Sequence, residues 1–280
     1  MLKERVTSAI IMALVFIAAL FSKVGFMIFV TLGTAVAAWE WAALAGLTRR
    51  HRKFSYVCFL FVVVSLCAVL VGMDDNLEGI AHSKLSYFVV IAMAWWLVAL
   101  AMVKGYPAST SFWGRSWTIL LIGVFVLVPT WIGLIFLRSQ EYGSWLILLL
   151  VSIVASADIG AYFVGRKFGK TRLAETVSPA KSWEGVFGGL AAAILLALIV
   201  GQLWLPDQRF SLLLLAIPTA CISVLGDLLE SMVKRHRGVK DSGLLFPGHG
   251  GVLDRVDGIT AAVPVFTLMI LVLGIGISAL

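Results

Sequence analysis

Charge is scarce along these 280 residues: Asp, Glu, Lys and Arg together supply 13% of them, against about a quarter in an ordinary globular domain. With 61% of its residues apolar as well, the chain does not have water as its main solvent, which excludes a soluble enzyme or binding module. Cysteine is scarce too. Cys58, Cys67 and Cys221 lie in or beside apolar runs with no C-x-x-C spacing, so they read as small packing residues and not as metal ligands. No internal repeat or low-complexity segment is evident. The formal net charge of +7 does not signal nucleic acid, because the basic residues fall in short loops between apolar runs and not on one soluble face. Lipid headgroups or a nucleotide suit that distribution better.

What is present is a succession of apolar runs near the ~20 residues that cross a bilayer core. They predict spans at about 6–22, 25–46, 55–73, 86–103, 117–137, 144–165, 185–205, 211–229 and 259–279. The fold class is therefore all-α, a polytopic membrane bundle of about nine helices forming one domain, with residues 1–150 as amino-terminal spans and 151–280 as the half that carries the chemistry. The first two spans are the least distinct, being separated only by a turn near Ser22 to Gly25, and a re-entrant hairpin there would also fit. The basic tip, Lys3 and Arg5, followed by an apolar stretch resembles a signal peptide. A second apolar run follows at once with no small-x-small cleavage site, so an uncleaved first span is expected. All but four (Lys23, Lys84, Arg138, Arg209) of the 22 Lys and Arg residues fall on one alternate set of loops, which predicts a cytoplasmic amino terminus. The loops richest in glycine and charge, 166–184 and 230–258, then share that cytoplasmic face.

The strongest local signal runs from Gly226 to Asp257, GDLLESMVKRHRGVKDSGLLFPGHGGVLDRVD. Asp227, Glu230, Ser231 and Lys234 are spaced i, i+3, i+4, i+7 and share one helical face, which at a membrane helix end must look into protein or a water-filled cavity. The chain then turns through Lys240-Asp241-Ser242-Gly243 and Pro247-Gly248-His249-Gly250-Gly251, where glycine lets backbone N–H groups approach phosphate oxygens. Asp254-Arg255-Val256-Asp257 opens the last span. Asp227 and Asp254, from separate segments, are placed to hold divalent cations between them. A solvated loop with stop-transfer charges would explain the basic residues but not the carboxylates or the four glycines around one histidine.

A second cluster closes the sixth span. Asp158, inside an apolar run, should face the bundle interior with a partner, and Tyr162 shares its side one turn on. Ala155, Gly160, Ala161 and Gly165 suit close helix approach. Downstream, Ser178, Lys181 and Ser182 precede a helix, whose free N–H groups favour an anion, although Ser-Pro also serves simply as a helix start. Glu40, between Trp39 and Trp41, reads as a buried polar contact or an interfacial residue, the structural role being the simpler. The ten tryptophans mostly fall near predicted span ends, and His51, His82 and His236 read as ordinary loop residues.

These residues resemble a known family, the bacterial phosphatidate cytidylyltransferases. The resemblance is carried by Ser231-x-x-Lys234-Arg235, Lys240-Asp241-Ser242-Gly243 and Pro247-Gly248-His249-Gly250-Gly251-x-x-Asp254-Arg255-x-Asp257, with no departure from the pattern. Ala157-Asp158-x-Gly160-Ala161-Tyr162 and Ser178-Pro179-x-Lys181-Ser182 are similar to it as well. Before about residue 155 the likeness is looser, chiefly hydropathy and Trp39-Glu40-Trp41. The resemblance implies a magnesium-dependent reaction of CTP with phosphatidate giving CDP-diacylglycerol and pyrophosphate, in the inner membrane, by a homodimer.

On this reading Asp227 and Asp254 position Mg²⁺, with Asp257 or Asp158 as a further ligand. Lys181, Lys234, Arg235, Lys240 and Arg255 share phosphate charge. Ser178, Ser182, Ser231, Asp241 and Tyr162 join the substrate site, Gly248 to Gly251 present backbone amides, and His249 donates to a phosphate or orients a ligand. Two rivals share parts of the pattern: a CTP-dependent polyprenol or lipid kinase, and a transporter. The charged motifs cluster at one membrane face and not at mid-depth, which disfavours the transporter.

Overall fold

Long apolar helices account for nearly all of the computed structural model, which describes residues 2–73, 82–243, 245 and 250–275. In chain order the helices are α1 (Leu2–Leu20), α2 (Lys23–Leu44), α3 (Arg50–Leu70), α4 (His82–Lys104), the single-turn α5 (Thr110–Trp113), α6 (Ser116–Ser139) and α7 (Gly143–Phe168). A hairpin of β1 (Arg172–Ala174) and β2 (Ser178–Ser182) follows, then α8 (Trp183–Leu203), α9 (Arg209–His236) and α10 (Leu253–Leu273). Among the described residues eight helices, α2 to α4 and α6 to α10, are long and apolar enough to cross a membrane. The protein is thus an integral membrane protein. The helix α1 occupies the place of the first expected span, and its described apolar part is Ile10–Leu20.

Burial orders the bundle. α6 sits at its centre, two-thirds of its most apolar window being covered by protein, whereas only 17% of that window in α3 is. A membrane helix with bare apolar sides is stable because lipid, not water, covers them. Two polar groups inside the bundle are tied to backbone: the Trp41 indole N–H donates to the Ile119 carbonyl and the Tyr56 hydroxyl to that of Leu120. These bonds fix α2 and α3 to α6.

Small residues bring α7 and α8 together, as expected from Gly160 and its neighbours. A Cβ on Gly160 would stand 2.6 Å from the Gly188 carbonyl oxygen, and one on Gly189 would stand 2.5 Å from that of Ala157. The same device joins α9 to α10, since a Cβ on Gly226 would overlap the Asp257 carbonyl oxygen. Gly226 thereby sets Asp227 beside the first turns of α10.

One element exceeds what local pattern shows. Residues 166–184, expected as a loop, contain the antiparallel hairpin, with Arg172 opposite Ser182 and Ala174 opposite Ser178. The Glu184 carboxylate closes its base by accepting the Lys170 and Thr171 N–H groups, and Val177 at its tip is fully buried. Helix α9 runs past the span expected to end at 229 to His236, as the helical spacing of Asp227, Glu230, Ser231 and Lys234 predicts, carrying its polar face clear of the apolar span.

Candidate active site

Helices α7, α8 and α9 and the hairpin enclose an open cavity of about 940 Å³. Its lining is mixed. Asp158, Tyr162, Arg166, Arg172, Lys181 and Asp227 supply polar groups, while Val186, Leu190, Ala220 and Val224 supply apolar surface. A ligand with a charged head and a hydrocarbon body matches both. Lys181, carried in by β2, pairs with Asp227 on α9 at 2.6 Å, and the Ser231 hydroxyl one turn on donates to the other oxygen of Asp227 at 3.1 Å. Both partners of the ion pair keep part of their surface in the cavity, so solvent or a ligand can reach them.

A second charged group adjoins this one on the protein side. Lys234 lies 3.0 Å from Glu230 and 2.6 Å from Asp254, all three being buried or nearly so. The other oxygen of Asp254 accepts the Ser242 N–H at 2.8 Å, the Ser242 hydroxyl at 2.9 Å and the Gly251 N–H at 2.8 Å. Gly250 has φ +82°, a left-handed conformation, and a Cβ there would sit 2.5 Å from Asp254. The turn therefore needs glycine twice over, for its backbone and for space. Asp257 accepts the Gly258 N–H and lies within electrostatic range of Asp227, Lys181 and Lys234, linking the two groups.

Of the residues that the sequence nominates, Asp158, Tyr162, Ser178, Lys181, Ser182 and Asp227 do meet at the cavity. Ser231, Lys234, Gly250, Gly251, Asp254 and Asp257 build the adjoining buried group. Asp158 departs from expectation. It is exposed on the cavity wall and not turned into the bundle interior, which is where a carboxylate in a membrane helix can keep water. The Ser182 hydroxyl, nominated for substrate, is buried and accepts the Gly185 N–H as the N-cap of α8. The Tyr162 hydroxyl accepts a hydrogen bond from Arg166. Arg235 reaches away from the phosphate role expected of it, its Nε donating to the Val177 carbonyl at the hairpin tip. Lys240, Asp241 and Arg255 are exposed, and Gly248 and His249 lie outside the described residues.

Three residues matter more than the sequence indicated. Glu40 is buried and accepts hydrogen bonds from Ser242, Val252 and Leu253. His236 bonds the Gly114 carbonyl and packs edge-on against Trp113. Arg237 donates to the Leu44 and Ala45 carbonyls, capping the end of α2. The available signal was a carboxylate inside an apolar helix for Glu40, and for the other two nothing beyond a basic run.

Fold and cavity together define a membrane-embedded protein with a polar pocket for an anionic, partly apolar ligand. The chain belongs to the cytidylyltransferase family, whose model matches residues 3–273. It is 40% identical over 280 residues to the phosphatidate cytidylyltransferase of Pseudomonas aeruginosa, covering 99% of both chains. To the phosphatidate cytidylyltransferase of Haemophilus influenzae it is 41% identical over 281 residues, covering 95% of this chain and 98% of that one.

Proposed function

We infer that the protein transfers a cytidylyl group from CTP to phosphatidate, giving CDP-diacylglycerol and pyrophosphate. What supports the reading is that Asp158, Lys181 and Asp227, from three separate segments of the chain, line one cavity that also has apolar walls and so suits a phospholipid head and its chains. The basic loops favour a cytoplasmic mouth in the inner membrane, where CTP is at hand.

In the reaction a phosphate oxygen of phosphatidate attacks the α-phosphorus of CTP. A new P–O bond forms, the bond to the β-phosphate oxygen breaks, and that oxygen leaves with pyrophosphate. The nucleophile is already an anion, so no strong general base is required. The site has to align two polyanions that repel each other. Lys181 projects from the hairpin into the cavity and draws the phosphates together, and Arg166 and Arg172 add positive charge at its rim.

Magnesium fits the donor set. Asp227 keeps about a third of its side chain exposed in the cavity that Asp158 also lines, so a divalent cation could reach its carboxylate when Lys181 turns to the phosphates. Among the described residues no three acidic, histidine or cysteine side chains converge on one point. Mg²⁺ commonly takes one or two carboxylates and completes its shell with phosphate and water. Asp227 and Asp254 would hold it, with Asp257 or Asp158 adjoining, and it would neutralise charge developing on the phosphates.

Purified protein supplied with CTP labelled at the α-phosphorus, and with phosphatidate, a polyprenol or no lipid, tests the assignment. Labelled CDP-diacylglycerol and free pyrophosphate are expected with phosphatidate alone. Release of labelled CDP with the polyprenol would mean a lipid kinase instead.

A further inference from the structure

Glu40 belongs to the half of the chain that lacks the diagnostic motifs, yet it holds the most distinctive of them. Its side chain is 5% exposed near the end of α2. One oxygen accepts the Val252 N–H at 3.0 Å, and the other accepts the Leu253 N–H at 2.9 Å and the Ser242 hydroxyl at 3.0 Å. Ser242 opens the glycine-rich loop, and Val252 and Leu253 close it as the N-cap and first residue of α10. The carboxylate therefore bridges both ends of the loop.

No ion pair to Glu40 forms among the described residues. Its charge is met by the free N–H groups at the start of α10, where the helix dipole favours an anion and charge-assisted hydrogen bonds are strong. The fit leaves no room to spare. A Cβ on either Gly243 or Gly251 would stand 2.5 Å from a Glu40 oxygen, which accounts for two glycines of the motif by space alone. Asp254 grips the same loop from the other side through Ser242 and Gly251. The Ser242 hydroxyl, with one proton to give, stands 3.0 Å from Glu40 and 2.9 Å from Asp254. The two carboxylates are drawn together around a single donor.

We propose that Glu40 is a positioning residue for the transfer: it ties Ser242 to the first turn of α10, and so fixes the placement of Asp254. Helix α2 is then part of the catalytic apparatus, and the carboxyl half does not form its site without it. The kinetic consequence rests on the cytidylyl-transfer reading above, and the structural one on the geometry alone.

The test compares full-length wild type with Glu40→Gln, which keeps shape but loses the charge and one acceptor. Three quantities are read in detergent: kcat and KM, the melting temperature, and hydrogen exchange at the amides of residues 251–253. Expected are a fall in kcat of about tenfold or more, as for partners that orient a reacting group, and exchange at Val252 and Leu253 faster by a similar factor. The melting temperature and the exchange of amides in the middle of α10 stay as in wild type. A role confined to holding the fold would instead lower the melting temperature and leave kcat per folded molecule unchanged. Wild-type kcat, or wild-type exchange at Val252 and Leu253, overturns the proposal. Should Glu40→Gln fail to fold, Ser242→Ala removes one donor and leaves the carboxylate in place. It is expected to show a smaller change in the same two quantities, and no change in either overturns the proposal equally. If wild type itself makes no CDP-diacylglycerol, the activity reading falls, and the exchange result still passes or fails the clamp.

Discussion

Two lysine–aspartate pairs of equal length stand side by side in this protein and are built for different ends. Lys181 and Asp227 meet at 2.6 Å with side chains 25% and 34% exposed, and Lys234 and Asp254 meet at 2.6 Å with 10% and 7%. The first is assembled from a hairpin and a helix around an open cavity, so water compensates either charge when the partner moves away. The second is shut between α9 and the first turn of α10, where fixed groups compensate it: Glu230 beside Lys234, and at Asp254 the Ser242 and Gly251 N–H groups and the Ser242 hydroxyl. A buried pair contributes little net stability when whole, because desolvation offsets attraction, yet breaking it leaves an uncompensated charge. The accessible pair can change partners, as a substrate site requires, and the enclosed pair holds the loop beside it in one arrangement.

Removing the carboxylate charge from each pair separates these roles, and the larger total effect is expected from the enclosed one. Asp254→Asn should abolish measurable turnover and also destabilise the protein by about 3 kcal/mol, since Lys234 loses a buried partner and the loop loses its anchor. A thermal melt in detergent beside the activity assay checks both. Asp227→Asn should lower turnover comparably, about a thousandfold, while the melt stays where it was, because a half-exposed pair is worth at most about 1 kcal/mol. Equal destabilisation by the two substitutions would erase the distinction, and near-normal turnover by Asp227→Asn would remove it from the reaction.

The same contrast separates what could be read from the sequence from what could not. Asp227, Glu230, Ser231 and Lys234 announced a polar helical face by their spacing alone, and α9 does present them together, because a 3.6-residue period is a local property. Hydropathy likewise located the long apolar helices, eight of which are long enough to cross a membrane among the described residues. Failures came where a partner lies far along the chain. The residues at 166–184 form a hairpin because Glu184 closes its base and Arg235 grips its tip, and neither contact leaves a trace in local pattern. Arg235 and Lys181 look alike as basic residues near a motif, yet one bonds a backbone carbonyl and the other enters the cavity. Glu40 meets Ser242 from 202 residues away, so its isolated charge could signal that a partner existed but not which one.

The smallest effect expected is the most direct on the substrate. Lys181→Ala leaves Asp227 facing the cavity with the Ser231 hydroxyl still donating to it, so the fold loses one half-exposed pair and the melt should not move. What disappears is a positive charge where two anionic substrates meet. If Lys181 draws the phosphates in, the KM for CTP or phosphatidate should rise about tenfold, the equivalent of roughly 1.4 kcal/mol of binding. Its attraction for phosphate is screened by salt, so the difference between variant and wild type should also narrow as ionic strength rises. Unchanged kinetics at low salt would instead make Lys181 a counter-charge for Asp227, and the accessible pair would then be as structural as the enclosed one.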